Sequence, residues 1–417
     1  MGLITSVARS WLLRSFKPFQ FTNSFDNELD YNTVPSLGLY VHIPFCKKTC
    51  SFCPYCKQLY EKDIATTYVE ALLQEIDLVC AAQQEVREVT SLYFGGGSPA
   101  LLVNDIARII SQLERYFSIT DGIGVELHPD DVTVDVLQKL KQAGVTRISI
   151  GMQSFDKTTL GKLGRTETDY QGLFNAVHAV LFDTVAMDFI FALDGQTFDS
   201  VRDDIDIAFA NGANHIALYP FIDFAFADSG IRKMGRKNMK RLLYQISHYC
   251  EEQGYVRDSI WTFGKPGVGK YSSMTRDNYL GFGCSATTLL EDQFKINTFS
   301  TNAYIERIRS KMLPTALTIH FTKRQRMIYW TFWRLYTMRL SSGDFQNTFD
   351  TSVNRVYGFE LWLGRLFGLL KRTGDGHELT PRGVFFYHYF EGYYTLSYIN
   401  KMWHIMNKED FPRALVL

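Results

Sequence analysis

Two periods of apolar residues alternate along the first half of the chain. Short apolar runs at residues 39–43, 91–94, 125–127, 147–150, 185–191 and 215–219 are of the kind that form buried strands. Between them, residues 63–82, 105–116, 132–143, 170–182 and 200–211 repeat apolar side chains at three and four, as in Tyr68, Leu72, Leu73, Ile76 and Val79. Strict alternation of this kind predicts an α/β fold, a parallel sheet with crossover helices. Six strands are two short of a closed eight-fold barrel.

After Tyr219 the pattern loosens. Residues 237–252 predict a helix, and residues 277–286 form a glycine-rich turn. Residues 313–417 predict a small C-terminal domain, with helices at 322–339 and 353–370 and a final aromatic helix after Glu378-Leu-Thr-Pro-Arg-Gly383. The predicted organisation is an N-terminal extension (1–34), a main domain with its closing elements (35–312) and this C-terminal lid.

The start of the chain differs in character. Residues 1–20 carry Arg9, Arg14 and Lys17 and no acid, with Leu3, Ile4, Val7, Trp11, Leu12, Leu13 and Phe16 at amphipathic spacing. Such a helix either packs on the body or lies on an anionic membrane surface. Met1-Gly2-Leu-Ile-Thr-Ser6 also fits the loose myristoylation pattern. Arginines break the apolar run, which disfavours a signal peptide. No apolar run reaches the roughly 18 residues that a membrane-crossing helix needs.

Charge is balanced, with 44 basic and 44 acidic residues and no long basic run, so nucleic acid is not an expected partner. Aromatics make up 15% of the chain and crowd its last third.

The chemistry is concentrated in one loop. Gly38-Leu-Tyr-Val-His-Ile-Pro-Phe45 runs into Cys46-Lys-Lys-Thr-Cys50-Ser-Phe-Cys53-Pro-Tyr-Cys56. Thiolates this close repel one another unless a metal takes up their charge. Structural zinc usually draws on two separated cysteine pairs. Here Cys80, Cys250 and Cys284 stand alone. A disulfide cluster belongs to small secreted scaffolds. An iron–sulfur cluster on three cysteines remains, with one iron of a [4Fe–4S] cube open to a small molecule. Such a cluster and free thiols fit a reducing cytoplasm.

The C-x3-C-x2-C spacing after an apolar strand, with Phe52 before the third cysteine, resembles the radical S-adenosylmethionine (SAM) enzymes. Tyr40-Val-His-Ile-Pro-Phe-Cys46 is similar to their oxygen-independent coproporphyrinogen III oxidase-like group. The resemblance implies a partial (β/α)6 barrel, a winged-helix-like lid, and Cys46, Cys50 and Cys53 as cluster ligands. Gly95-Gly96-Gly97 would hold the SAM amino group, its backbone N–H and C=O groups available to a zwitterion. Tyr40 would approach the same SAM from its strand, and Glu126 would pair with it. Phe52, Gly97, Ser98, Gln153, Arg165 and Asp188 match a second SAM site, and Ile222 and Thr287 fall at two further SAM contacts. Cys56 departs from the group's spacing by one residue. It is expected not to bind the cluster and to act on substrate as a thiol. Ala192-Leu-Asp194-Gly-Gln-Thr197 departs from the usual Gly-Leu-Pro-Gly-Gln-Thr.

The resemblance leaves three reactions. Residues 1–37 contain no Arg-Tyr-Thr-Ser-Tyr-Pro segment of the kind that reaches the site in the oxidases. No histidine stands near Gly283-Cys-Ser-Ala286, where haem-chaperone relatives carry one. The leading expectation is therefore C-methylation of a small hydrophobic, tetrapyrrole- or quinone-like substrate, using two SAM molecules. Oxidative decarboxylation is the alternative and haem carriage the second alternative. A reduced flavodoxin- or ferredoxin-type electron donor and a monomeric state accompany this reading. Peripheral membrane contact through residues 1–20 is kept as an option.

Overall fold

The computed structural model describes residues 3–24, 29–227, 230–268 and 277–417. Met1 and Gly2, on which the myristoylation match rests, lie outside the described residues, as do the side chains of Leu3 and Ile4.

Six parallel strands form the centre in chain order: β1 (Gly38–Ile43), β2 (Leu92–Gly96), β3 (Ile123–Leu127), β4 (Arg147–Gln153), β5 (Thr184–Phe191) and β6 (His215–Pro220). Each pairs with its predecessor in parallel register, for example Tyr40 with Tyr93 and Glu126 with Ser149. A further parallel strand, β7 (Tyr279–Phe282), flanks β1 from the other side. The crossover helices begin at short polar caps. Thr133 accepts from the amide of Val136 (3.3 Å), and Asp169 accepts from that of Gly172 (3.0 Å). Such caps satisfy N–H groups that the helix itself cannot pair. The core fills the space between strands and helices with Leu39, Val41, Ile43, Phe94, Val125, Ile148, Ile150 and Met187, all essentially excluded from water.

Beyond β7 the sheet turns antiparallel through Thr287–Leu290, Gln293–Asn297 and Thr315–His320. Both chain ends then join it: Gln20–Thr22 pairs with Thr315–His320 and with Ala414–Val416. Thr315–His320 therefore continues the main sheet, although residue 313 is where the sequence suggests a boundary. The segment between Lys323 and Met406 is separate in build. It comprises helices Lys323–Tyr336, Ser342–Phe349, Val353–Leu366 and Pro381–Met406, with an antiparallel three-stranded sheet of Arg339–Ser341, Gly376–Leu379 and Leu370–Arg372. Arg326 clamps it to the barrel by donating to the carbonyls of Glu291 and Asp277. No helix among the described residues is long and apolar enough to cross a membrane.

Glu75, on helix Lys62–Cys80, fixes the turn after β7. It accepts from the Gly283 amide (2.7 Å), the Tyr304 hydroxyl (2.7 Å) and Asn297 Nδ2 (3.2 Å). Three donors on one buried carboxylate offset part of its desolvation. Burial still raises its pKa to about 7.

Candidate functional site

The cysteine loop leaves β1 at its C-terminal end, where sites on barrels and open α/β sheets converge. Lys57 secures the loop: Nζ donates to the carbonyls of Cys50 (2.5 Å) and Cys53 (3.3 Å). Arg165 reaches in from beyond β4. Its Nε donates to Cys50 Sγ (3.2 Å), Nη1 bonds His128 Nε2 (2.7 Å), and the guanidinium lies 5.8 Å from the Phe52 ring. Burial and this cation lower the pKa of His128 to about 4. Burial, then Cys53 and Cys50, push the Cys46 thiol up to about 12. Lys57 and Arg165 act in the opposite direction.

These residues suit an iron–sulfur cluster. No group of three or more His, Cys, Asp or Glu converges on a single ion among the described residues. A cube binds each thiolate through a different iron and needs wider spacing than one ion does. Gly97 closes the cradle: a Cβ there would lie 2.9 Å from Cys46 Sγ and would also strike the Phe45 carbonyl.

The glycine loop differs from expectation in one respect. Its N–H groups are engaged inside the protein. Gly96 donates to Glu126 Oε2 (3.2 Å), Gly97 to the Ile43 carbonyl (2.7 Å) and Ser98 to the Phe45 carbonyl (2.7 Å). Backbone carbonyls are what such a loop can then offer, and they suit an ammonium group. The Ser98 hydroxyl is also engaged, donating to Asp131 (2.5 Å), which binds Lys47 (2.5 Å) on its other oxygen.

Glu126 and Asp188 dominate the interior. Glu126 accepts from the Tyr93 hydroxyl (2.9 Å), and the Tyr93 ring stacks on Tyr40 at 6.4 Å. The Tyr40 hydroxyl bonds His42 Nδ1 (2.9 Å), and His42 Nε2 bonds the Ser285 hydroxyl (3.1 Å). Asp188 accepts from Ser149 (2.8 Å) through one oxygen, and its other oxygen is buried with no hydrogen-bond partner among the described residues. Burial raises both carboxyls to about 7, and Glu126 adds to the rise at Asp188. Buried carboxylates in this state favour a cationic ligand.

Tyr55 is 53% exposed, yet desolvation raises its phenol strongly, with Glu126, Cys53, Asp188 and Tyr336 contributing. Tyr219, at the end of β6, feels Tyr336, Asp188, Tyr55 and Glu126. Tyr336 ends helix Lys323–Tyr336 and is buried against Trp261 (5.6 Å) and Trp333 (5.6 Å), which brings the C-terminal segment up to this region.

Gln153 ends β4 with φ 67°, in the left-handed region that ordinary residues rarely adopt, next to a register shift in the pairing with β5. Strain of this kind collects at ligand sites. Ala192 also has a positive φ (68°), which explains why glycine is usual at that turn.

Three sequence-based candidates make contacts of other kinds. Cys56 directs its thiol at Cys284 Sγ (3.9 Å) and the Phe299 carbonyl (3.1 Å), an arrangement that packs the loop against the turn after β7. Its expected action on substrate has no geometric support here. The Thr287 hydroxyl bonds the Tyr279 hydroxyl (2.9 Å). Ile222 is half-buried just past β6, without a polar role. Sequence reasoning missed His128, Asp131, Lys47, Lys57, Tyr93 and Ser149. The pairs Lys47–Asp131 and Arg165–His128 join distant segments, and no local pattern marks them.

Comparison with known proteins shows what the chain as a whole is similar to. Residues 40–208 match the Radical SAM superfamily, whose members use a [4Fe–4S] cluster and SAM. The chain is 27% identical over 345 residues to the "Heme chaperone HemW" of Lactococcus lactis, covering 77% of this chain and 87% of that protein. It is 26% identical over 410 residues to the "Oxygen-independent coproporphyrinogen III oxidase" of Synechocystis, covering 89% and 87%. The Escherichia coli coproporphyrinogen III oxidase structure superposes with a TM-score of 0.75 at 21% identity, over 92% of this chain and 98% of that one, and so shares its fold. Residues 40–208 carry a radical SAM domain, and the chain is similar to oxygen-independent coproporphyrinogen III oxidases and haem chaperones over most of its length.

Proposed function

We propose that this protein is a radical SAM enzyme that oxidises a tetrapyrrole, in the manner of the oxygen-independent coproporphyrinogen III oxidases. The observation that carries the reading is the pair of interior carboxyls, Glu126 and Asp188, beside the three-cysteine loop. A [4Fe–4S] cluster and SAM held there would supply the radical chemistry that abstracts a hydrogen atom from substrate. Cys46, Cys50 and Cys53 would hold the cluster, and Arg165 and Lys57 would balance its thiolate charge.

Glu126, with the glycine-loop carbonyls, would orient the ammonium of one SAM. Asp188, Gln153 and Arg165 would hold a second. Tyr55 and Tyr219 would exclude water and present aromatic faces to a flat substrate. A reduced flavodoxin- or ferredoxin-type protein would supply the electron.

Alignment with an oxidase over 89% of this chain supports oxidation, whereas no relative described above is a methyltransferase. The haem-chaperone relatives make haem carriage the second reading. One interior histidine is unsuited to haem iron. His388 Nδ1 accepts from Trp261 Nε1–H (2.9 Å), an obligate donor, so the proton sits on Nε2, where a metal would bind.

The test is anaerobic turnover of the reconstituted protein with coproporphyrinogen III and SAM. Release of CO2 with 5′-deoxyadenosine is expected. Stoichiometric haem uptake without SAM cleavage would replace this reading with carriage. Labelled methyl transfer from SAM to product would replace it with methylation.

A further inference from the structure

The N-terminal helix Leu3–Leu13 is fastened to the body along one flank. Arg9 donates to the Leu417 carbonyl (2.8 Å), Arg324 donates to the Leu12 carbonyl (2.7 Å), and Leu13 is buried. Its other flank presents Val7 and Trp11 to solvent. Trp11 meets Phe359 of helix Val353–Leu366 at 6.1 Å, and Phe359 stacks on Trp362 at 5.8 Å. Leu366 and Phe367 follow at helical spacing.

Trp11 (49%), Phe359 (50%), Trp362 (48%), Leu366 (62%) and Phe367 (55%) are all exposed, and Phe16, beyond the first helix, is 91% exposed. Helix Val353–Leu366 does not need this face for its own core. Its buried side holds Val353, Tyr357 and Leu361, packed on Trp330, Phe345 and Phe349. A contiguous exposed apolar face marks an interaction site.

Charge specifies the partner. Residues 3–20 and 353–372 contain Arg9, Arg14, Lys17, Arg355, Arg365, Lys371 and Arg372 against one acid, Glu360. That acid is engaged by Arg14 (2.6 Å) and Trp11 Nε1 (3.0 Å). Arg9, Arg365 and Lys371 bond the Leu417 carbonyl, His377 and Glu378 (3.3 Å), so exposed Lys17, Arg355 and Arg372 carry most of the positive charge these segments turn to solvent. The Arg14 guanidinium lies 4.5 Å from the Trp11 ring, setting a cation beside an indole. Tryptophan, phenylalanine and leucine on segments that also carry arginine and lysine is the composition of an interfacial membrane contact.

We propose that this composite face docks peripherally on an anionic lipid bilayer. Trp11, Phe359, Trp362, Leu366 and Phe367 enter the boundary between headgroups and acyl chains, and the surrounding arginines and lysines meet lipid phosphates. Neither the N-terminal helix alone nor the C-terminal segment alone completes the face.

The test is sedimentation of the full-length chain with vesicles of phosphatidylcholine alone and with about a third phosphatidylglycerol. Binding to the anionic vesicles is expected, about tenfold or more weaker to the neutral ones, and reduced by salt. Brominated lipid should quench the wild-type tryptophan fluorescence, a readout that needs no variant. The double variant Phe359→Ser/Trp362→Ser should lose about tenfold or more in vesicle affinity at unchanged melting temperature. No sedimentation with either vesicle, or equal binding by the variant, would overturn the proposal. So would a lipid-free dimer that the variant abolishes, which would assign the face to a second copy of the chain. Capture of an acidic protein in preference to vesicles would likewise overturn it.

Discussion

The barrel interior and the outer face of Trp11, Phe359 and Trp362 break opposite rules of protein structure. Inside, Asp188 keeps a buried oxygen with no hydrogen-bond partner among the described residues, and Glu126 has burial as the main influence on its titration. Outside, half of each aromatic ring system stands in water. Each violation costs stability, and neither is explained by folding alone. On the readings proposed above, the interior would take cations and a flat substrate, and the exterior an apolar, anionic surface. Function is written where the structure departs from what packing would choose.

The comparison breaks most visibly at the cysteine loop. Cys50→Ser should abolish the visible absorbance of the reconstituted protein and lower SAM cleavage by about 10³-fold or more. Vesicle binding should be unchanged, since Cys50 is remote in sequence and contacts from the outer face.

Asp188→Asn comes next. Its loss should weaken SAM binding roughly 10- to 100-fold, as for a charge-assisted bond of about 1.5–3 kcal/mol. Removal of an uncompensated buried charge should at the same time leave thermal stability equal or higher. Reduced stability with intact binding would make Asp188 a structural residue.

A smaller effect concerns pH. Glu126 and Asp188 titrate near 7 in the folded protein, above ordinary carboxyls. Between the ordinary carboxyl range and about pH 7 the folded state binds more protons than the unfolded state. The unliganded protein should therefore lose stability as pH rises through this window, with no further loss from these groups above it. SAM affinity should rise over the same window, since the cation prefers the ionised carboxylates. Melting curves and binding titrations across pH 5.5 to about 8 check both signs.

Much of the interior was legible in the sequence. Strand and helix periods located β1 to β6, and the C-x3-C-x2-C loop named its own chemistry. The three-residue strands at Gln20–Thr22 and Ala414–Val416 were not legible, because such short runs carry no period and their partners lie at opposite ends of the chain. The engagement of the Gly97 and Ser98 amides was equally hidden, since it depends on how the cysteine loop folds back. The exposure of Phe359, Trp362 and Leu366 was hidden as well, because helix Val353–Leu366 is apolar on both flanks and only burial shows that Val353, Tyr357 and Leu361 supply its core contact.

The smallest expected effect is at Ala192. Glycine there should relieve a left-handed backbone and raise stability by about 1 kcal/mol, without changing either surface. Thermal unfolding of Ala192→Gly checks it.

The measurement that bears most directly on the paired interior carboxyls is the stoichiometry of SAM binding to the reduced, reconstituted protein. Equilibrium dialysis should find two SAM molecules per wild-type chain and one per Asp188→Asn chain. One SAM in both proteins would contradict a second site at Asp188, and none in either would contradict the interior as a SAM site altogether.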